Sequence, residues 1–180
     1  MKKSLLLGFA GMLFVSASAN AISINGQAGE DYTNLGFGMG TETTGLAVSG
    51  NWMHNDDDGD VAGLGLGLNI PLGPLLATVG GKGVYTNPND GDEGYAAAVG
   101  GGLQWPIGDS IRLFGEYYYS PDSLSSGIDS YEEANAGARL TIMRPLSIEA
   151  GYRYLNLEGK DGNKDSTIAD GPYLGVSASF

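Results

Sequence analysis

Cysteine is absent from all 180 residues, so no disulfide can hold this chain together. Basic residues are scarce: nine Lys and Arg stand against 21 Asp and Glu, a formal charge of −12. That balance excludes a nucleic-acid binder, whose footprint is a basic patch. Proline is sparse at 7 residues, and the 31 glycines follow no collagen-like period. Histidine occurs once, at His54. After residue 21 no run approaches 18 apolar residues, so no transmembrane helix is expected.

What is present begins with an export signal. Met1, Lys2 and Lys3 give a positive start, and Leu5 to Val15 an apolar core of 11 residues. Ala19-Asn20-Ala21 then offers a small-residue cleavage site. Residues 1–21 read as a cleaved signal peptide, too short to span a bilayer, and 22–180 as one domain of 159 residues. Loss of Lys2 and Lys3 leaves seven basic residues against 21 acidic ones, a charge of −14.

Glycine is roughly twice its ordinary share, and the glycines sit inside alternating segments. Period-two alternation predicts ten strands: 22–28, 33–40, 44–54, 61–70, 75–85, 95–105, 111–119, 131–142, 146–157 and 172–180. The fourth is the cleanest, with Ala62, Leu64, Leu66, Leu68 and Ile70 opposite Gly63, Gly65, Gly67 and Asn69. In each strand one face is apolar and the other is Gly, Ser, Asn or charged. Most are nine to twelve residues long, longer than usual soluble strands and suited to crossing a bilayer at a tilt.

Connection lengths alternate as well. Segments 41–43, 71–74, 106–110 and 143–145 are tight turns, whereas 29–32, 55–60, 86–94, 120–130 and 158–171 are polar and, after the first, longer. Tight periplasmic turns facing longer external loops characterise outer-membrane barrels, and the parity agrees at all nine connections. Aromatics form a second pattern. Trp52, Tyr85, Tyr95, Tyr117, Tyr119, Tyr131, Tyr154 and Tyr173 border the long loops, while Trp105 and Phe180 border the other side. Such girdles mark the two membrane interfaces. The last strand ends on Phe180, which resembles the C-terminal assembly signal of outer-membrane barrels. The expected fold is all-β: an antiparallel up-and-down transmembrane β-barrel of ten strands in the cell outer membrane.

The signal peptide, the alternating Leu64–Leu68 strand, the Tyr117-Tyr118-Tyr119-Ser120-Pro121 strand end and the Gly151-Tyr152-Arg153-Tyr154-Leu155 strand resemble the YfaZ family of small outer-membrane proteins. The resemblance runs the length of the chain. It implies an outer-membrane barrel, sometimes called porin-like, and brings no catalytic, metal or cofactor residues.

Alternation turns Lys82, Arg112, Glu116, Arg139, Glu149 and Arg153 into the lumen, where charges tend to pair because an unpaired buried charge is costly. A symmetric hairpin centred on Arg144 sets Arg139 opposite Glu149 and Asn135 opposite Arg153. Inward glycines, among them Gly36, Gly38, Gly40, Gly63, Gly65, Gly67, Gly100 and Gly102, either keep a passage open, make room for side chains from other walls, or let the strands coil. The loops carry 15 carboxylates against Lys160 and Lys164. They read as solvated loops rather than a divalent-cation site: residues 56–60 resemble part of a calcium loop but lack its closing Glu. His54 borders these aspartates without a substrate cleft or activated serine, so no enzyme and no cofactor are expected. Two functions remain: a small porin-like channel, or a non-conducting structural or surface-interaction barrel. Expected partners are outer-membrane lipids, lipopolysaccharide, and the outer-membrane assembly machinery acting through the C-terminal strand.

Overall fold

The computed structural model describes residues 22–89 and 91–180; the signal-peptide reading of 1–21 and Asp90 lie outside the described residues. Ten long strands form the wall: β1 (Ile22–Ala28), β2 (Tyr32–Met39), β3 (Gly45–Asn55), β4 (Gly59–Leu72), β5 (Leu75–Pro88), β6 (Gly94–Ile107), β7 (Ile111–Ser120), β9 (Ile128–Met143), β10 (Leu146–Gly159) and β11 (Ser166–Ser179). A two-residue strand, β8 (Ser125–Ser126), lies in the loop after β7. Sequential antiparallel pairing runs round the wall, and β1 closes it against β11. Closure leaves no free sheet edge. The terminal residue takes part: the Phe180 amide donates to the Ile22 carbonyl at 2.9 Å, and the Ile22 amide donates back at 3.1 Å.

Across the middle and turn-side part of the wall the apolar face of the strands points outward. Leu66 is 67% exposed and Leu174 71%, and Leu46, Leu64, Val79, Val99 and Val176 share the same surface. A belt of this extent is stable only against lipid. Trp52, Tyr95, Tyr117 and Tyr119 project from it near the loops, and Trp105 and Phe180 near the turns. Tyr85 stays half-buried on that surface, its ring 5.3 Å from Tyr95. Two expected girdle members point the other way: Tyr131 and Tyr173 are buried in the interior. Their odd positions, in step with Asn135 and Gly175, place them on the inner face, and alternation overrides the preference of a ring for the interface.

Several strands run past their expected ends. β11 begins at Ser166, six residues before the expected start at 172. Its register against β10 slips between Leu155 and Asn156, so that Leu155 pairs with Ala169 and Asn156 with Thr167. Ile168 is the extra residue, and it and Ala169 are buried in succession, which breaks the period that marks a strand. The loop expected at 120–130 is also partly wall. β6 outruns β7, and its outer end at Tyr95 and Ala96 pairs instead with β8. Gly40, expected at the end of an inner strand face, is a turn residue at φ +69°, where its missing Cβ avoids the Leu46 carbonyl.

Candidate functional site: the lumen

The lumen has two unlike halves. Next to the long loops it is filled by side chains. Met53, Val61, Tyr131, Leu155, Leu157 and Ile168 are at most 1% exposed and pack with Tyr32, Val84, Tyr118, Ile128 and Tyr173 into one cluster. Each of the first six lies within a few residues of the loop-side end of its strand. Towards the turns the inner face is polar and surrounds a cavity of about 200 Å³.

Charged side chains occupy the boundary and the cavity wall. Glu133, fully buried, accepts from Lys82 Nζ at 2.5 Å, Arg153 Nη1 at 3.1 Å and the Tyr131 hydroxyl at 2.6 Å. Lys82 and Arg153 come from β5 and β10, so this cluster ties together walls far apart in the chain. Lys82 also lies 4.7 Å from the Tyr118 ring centre. Arg153 Nη2 donates to Gln27 at 3.1 Å, and Gln27 donates to Glu149 at 3.0 Å. Arg139 Nε donates to Glu149 at 2.8 Å, and its Nη1 reaches Glu42. Glu42 also lies 2.5 Å from Arg112 Nη1, an ionic contact without hydrogen-bonding direction. Glu116 accepts from Asn135 at 2.9 Å.

All six residues singled out from alternation therefore line one cavity, joined by Glu42 and Glu133. Lys82, Arg112, Arg139 and Arg153 balance Glu42, Glu116, Glu133 and Glu149, so the lining carries no formal net charge. Arg139 faces Glu149 and Asn135 faces Arg153 in the register. A bulge at the hairpin pairs Leu146 with Met143 but returns to that register from Ser147 onward. The Arg139–Glu149 contact is one link in a chain, since Glu42 and Gln27 engage its two ends.

Glu133 and Glu42 are the residues that sequence reasoning missed. Glu133 shares the parity of Asn135 and Arg139, a signal obscured by Glu132 beside it. Glu132 points outward and accepts from the Tyr117 hydroxyl at 2.9 Å. Glu42 lies in a turn, where no period applies. The inner glycines make room for neighbours: a Cβ at Gly100 would fall 2.8 Å from Tyr118 Cδ1, and one at Gly151 2.7 Å from the Tyr173 hydroxyl.

At the outer rim His54 is bracketed by carboxylates, with Nδ1 3.0 Å from Asp60 and Nε2 3.1 Å from Asp56. His54 lies on the loop side of Trp52, which stacks on it and donates to Asp60 at 3.1 Å. The hydrogen bond that the protonated ring donates to Asp60 is the main force raising the imidazole pKa; slight desolvation opposes it, and Asp56 adds to it. Lys160 contacts Asp122 and lies 3.7 Å from Asp129. Among the described residues, no group of three or more His, Asp or Glu side chains is arranged to hold a metal ion.

A closed strand wall, apolar outside and polar within, bounded by aromatic rims and joined by alternating short turns and long loops, defines an outer-membrane β-barrel protein. The chain belongs to the YfaZ family: it matches the family described as "YfaZ precursor" over residues 1–180. It is 82% identical to "Outer membrane protein YfaZ" of Escherichia coli (strain K12) over the whole of both chains. Solved structures with similar coordinates include a NanC porin, at 9% identity over 90% of this chain and 99% of that one, TM-score 0.49. A de novo designed transmembrane β-barrel is similar at 12% identity over 92% and 100%, TM-score 0.39.

Proposed function

We propose that this protein is a non-conducting structural barrel that presents acidic loops at the cell surface. The filled outer half of the lumen carries this reading. An ion crossing there would lose its hydration among Met53, Val61, Leu155, Leu157 and Ile168, with no polar group from those side chains to replace the water. Below them the Lys82–Glu133–Arg153 cluster joins opposite walls. The solvated loops, rich in Asp and Glu, suit a surface that faces lipopolysaccharide, and the apolar belt suits outer-membrane lipids. Phe180 and its strand serve as the recognition segment for the assembly machinery. Catalysis has no place in this reading, because both ring nitrogens of His54 are engaged at an open rim.

A second reading, a small porin-like channel, draws support from the polar cavity on the turn side. Solute flux separates the two. Proteoliposomes carrying the refolded barrel should swell in small neutral sugars no faster than protein-free vesicles. Swelling that scales with the amount of barrel would overturn the closed reading and support the channel.

A further inference from the structure

Arg112 and Arg139 are direct register partners on β7 and β9 and share the inner face. Two like charges so placed repel each other. Glu42 holds them together, reaching Arg112 Nη1 at 2.5 Å and contacting Arg139. It arrives from outside the strand pattern, on the turn between Met39, where β2 ends, and Gly45, where β3 begins.

That turn is clipped into the lumen by side chains from two strands, one of them oriented by a third. Asn69 Nδ2 donates to the Gly40 carbonyl at 2.9 Å and to the Thr43 carbonyl at 2.8 Å. Gln104 Nε2 donates to the Thr41 carbonyl at 2.8 Å. Thr78 Oγ1 orients Asn69 by donating to its Oδ1 at 2.7 Å. The turns at Gly73 and Gly108 differ, since a Cβ at either would meet open space.

The charges explain what the clip accomplishes. Glu149 already serves Arg139 and accepts from Gln27 as well. Glu42 is the carboxylate that lies against Arg112 among the described residues. Without it, Arg139 would keep Glu149 while Arg112 would lose its ion-pair partner, beside a polar cavity of about 200 Å³. That volume admits a small oxyanion, given about 30 Å³ per liquid water, and guanidinium groups match carboxylate and phosphate oxygens in pairs.

We propose that Arg112 and Arg139 form an anion-binding site at the turn-side mouth of the lumen, occupied by Glu42 as a tethered carboxylate. A small free oxyanion, a carboxylate or a phosphate, takes the site when the turn swings out. The site does not depend on whether the outer half conducts. A tethered ligand acts at an effective concentration in the millimolar range, so the wild-type barrel binds free anions weakly.

The test uses the full mature chain refolded in octyl glucoside, a detergent without phosphate, so that lipid headgroups cannot supply the anion. Inorganic phosphate and acetate are titrated separately and followed by calorimetry. Glu42→Gln should tighten binding of at least one anion by at least about tenfold, an order expected when a tethered competitor is removed. Adding Arg112→Gln to that variant should abolish the gain. An affinity unchanged by Glu42→Gln for both anions overturns the proposal, as does a gain that survives loss of Arg112. Gln104→Ala, which loosens the clip and keeps Glu42, should give a smaller gain in the same direction. It decides the matter if Glu42→Gln does not refold, and no gain there refutes the proposal.

Discussion

Glu133 is the residue on which the interior most depends, and its replacement gives a quantitative test. In Glu133→Gln the shape is kept but the one carboxylate bonded to both Lys82 and Arg153 is lost. Both cations are buried, at 8% and 4% exposure, so little of either is open to water. Breaking a buried ion pair by removing one partner costs about 3–5 kcal/mol, because the remaining charge is left uncompensated. Lys82→Met is the contrasting change. Glu133 then keeps Arg153 and the Tyr131 hydroxyl, and the loss should be about 1.5–3 kcal/mol, the scale of one hydrogen bond to a charged group. In the double variant the two costs overlap, and the shortfall from additivity should be about 1–3 kcal/mol, as for groups within one network. Urea unfolding of the barrel in lipid vesicles measures all three, with the two tryptophans, Trp52 and Trp105, reporting from opposite rims. If Glu133→Gln costs no more than Lys82→Met, or if the two effects add, the carboxylate is not the hub.

The outer and inner faces should respond oppositely to substitution. Leu66→Arg places a charge on the lipid side and should cost about 2–4 kcal/mol, whereas the one close neighbour of a Cβ in Gly65→Ser is the movable Ser49 hydroxyl at 2.6 Å, and the change should be mild; equal losses in the same urea assay would refute the face assignment. His54 should titrate above about 6.5, the ordinary histidine value. Because its folded pKa is raised, its bonds to Asp60 and Asp56 favour the ordered rim fully below the unfolded pKa. That contribution fades as pH rises through the folded pKa. The imidazole resonance, unique to the only histidine, should shift to lower pKa in Asp60→Asn, and an unmoved midpoint would contradict the assignment. Deleting Phe180 removes both its backbone bonds to Ile22. Export should continue while membrane-embedded, heat-modifiable protein falls sharply on gels, and normal levels would count against its role in assembly.

The strands were legible because a lipid-facing surface demands an apolar residue at every second position, and a narrow lumen excludes most large ones. Leu64, Leu66 and Leu68 against Gly63, Gly65 and Gly67 carry that contrast in full. It fades above the lipid, where the outer face turns polar, as at Asp60, Glu132 and Asp170. There the interior holds apolar residues instead, as at Val61 and Ile168, so the apolar and polar faces exchange sides along one strand. This exchange concealed the outer ends of the strands and the filled half of the lumen. The pairing of Arg139 with Glu149 followed from hairpin symmetry alone. Glu42 could not be found that way, since its place depends on Asn69 and Gln104 capturing a turn distant from both in sequence.

Single-channel recording of the purified, refolded barrel in planar bilayers tests the closed lumen most directly. With Met53, Val61, Tyr131, Leu155, Leu157 and Ile168 filling the loop-side half, insertion should add no stepwise current at either polarity. Reproducible, ion-dependent steps from the wild-type barrel would contradict the account.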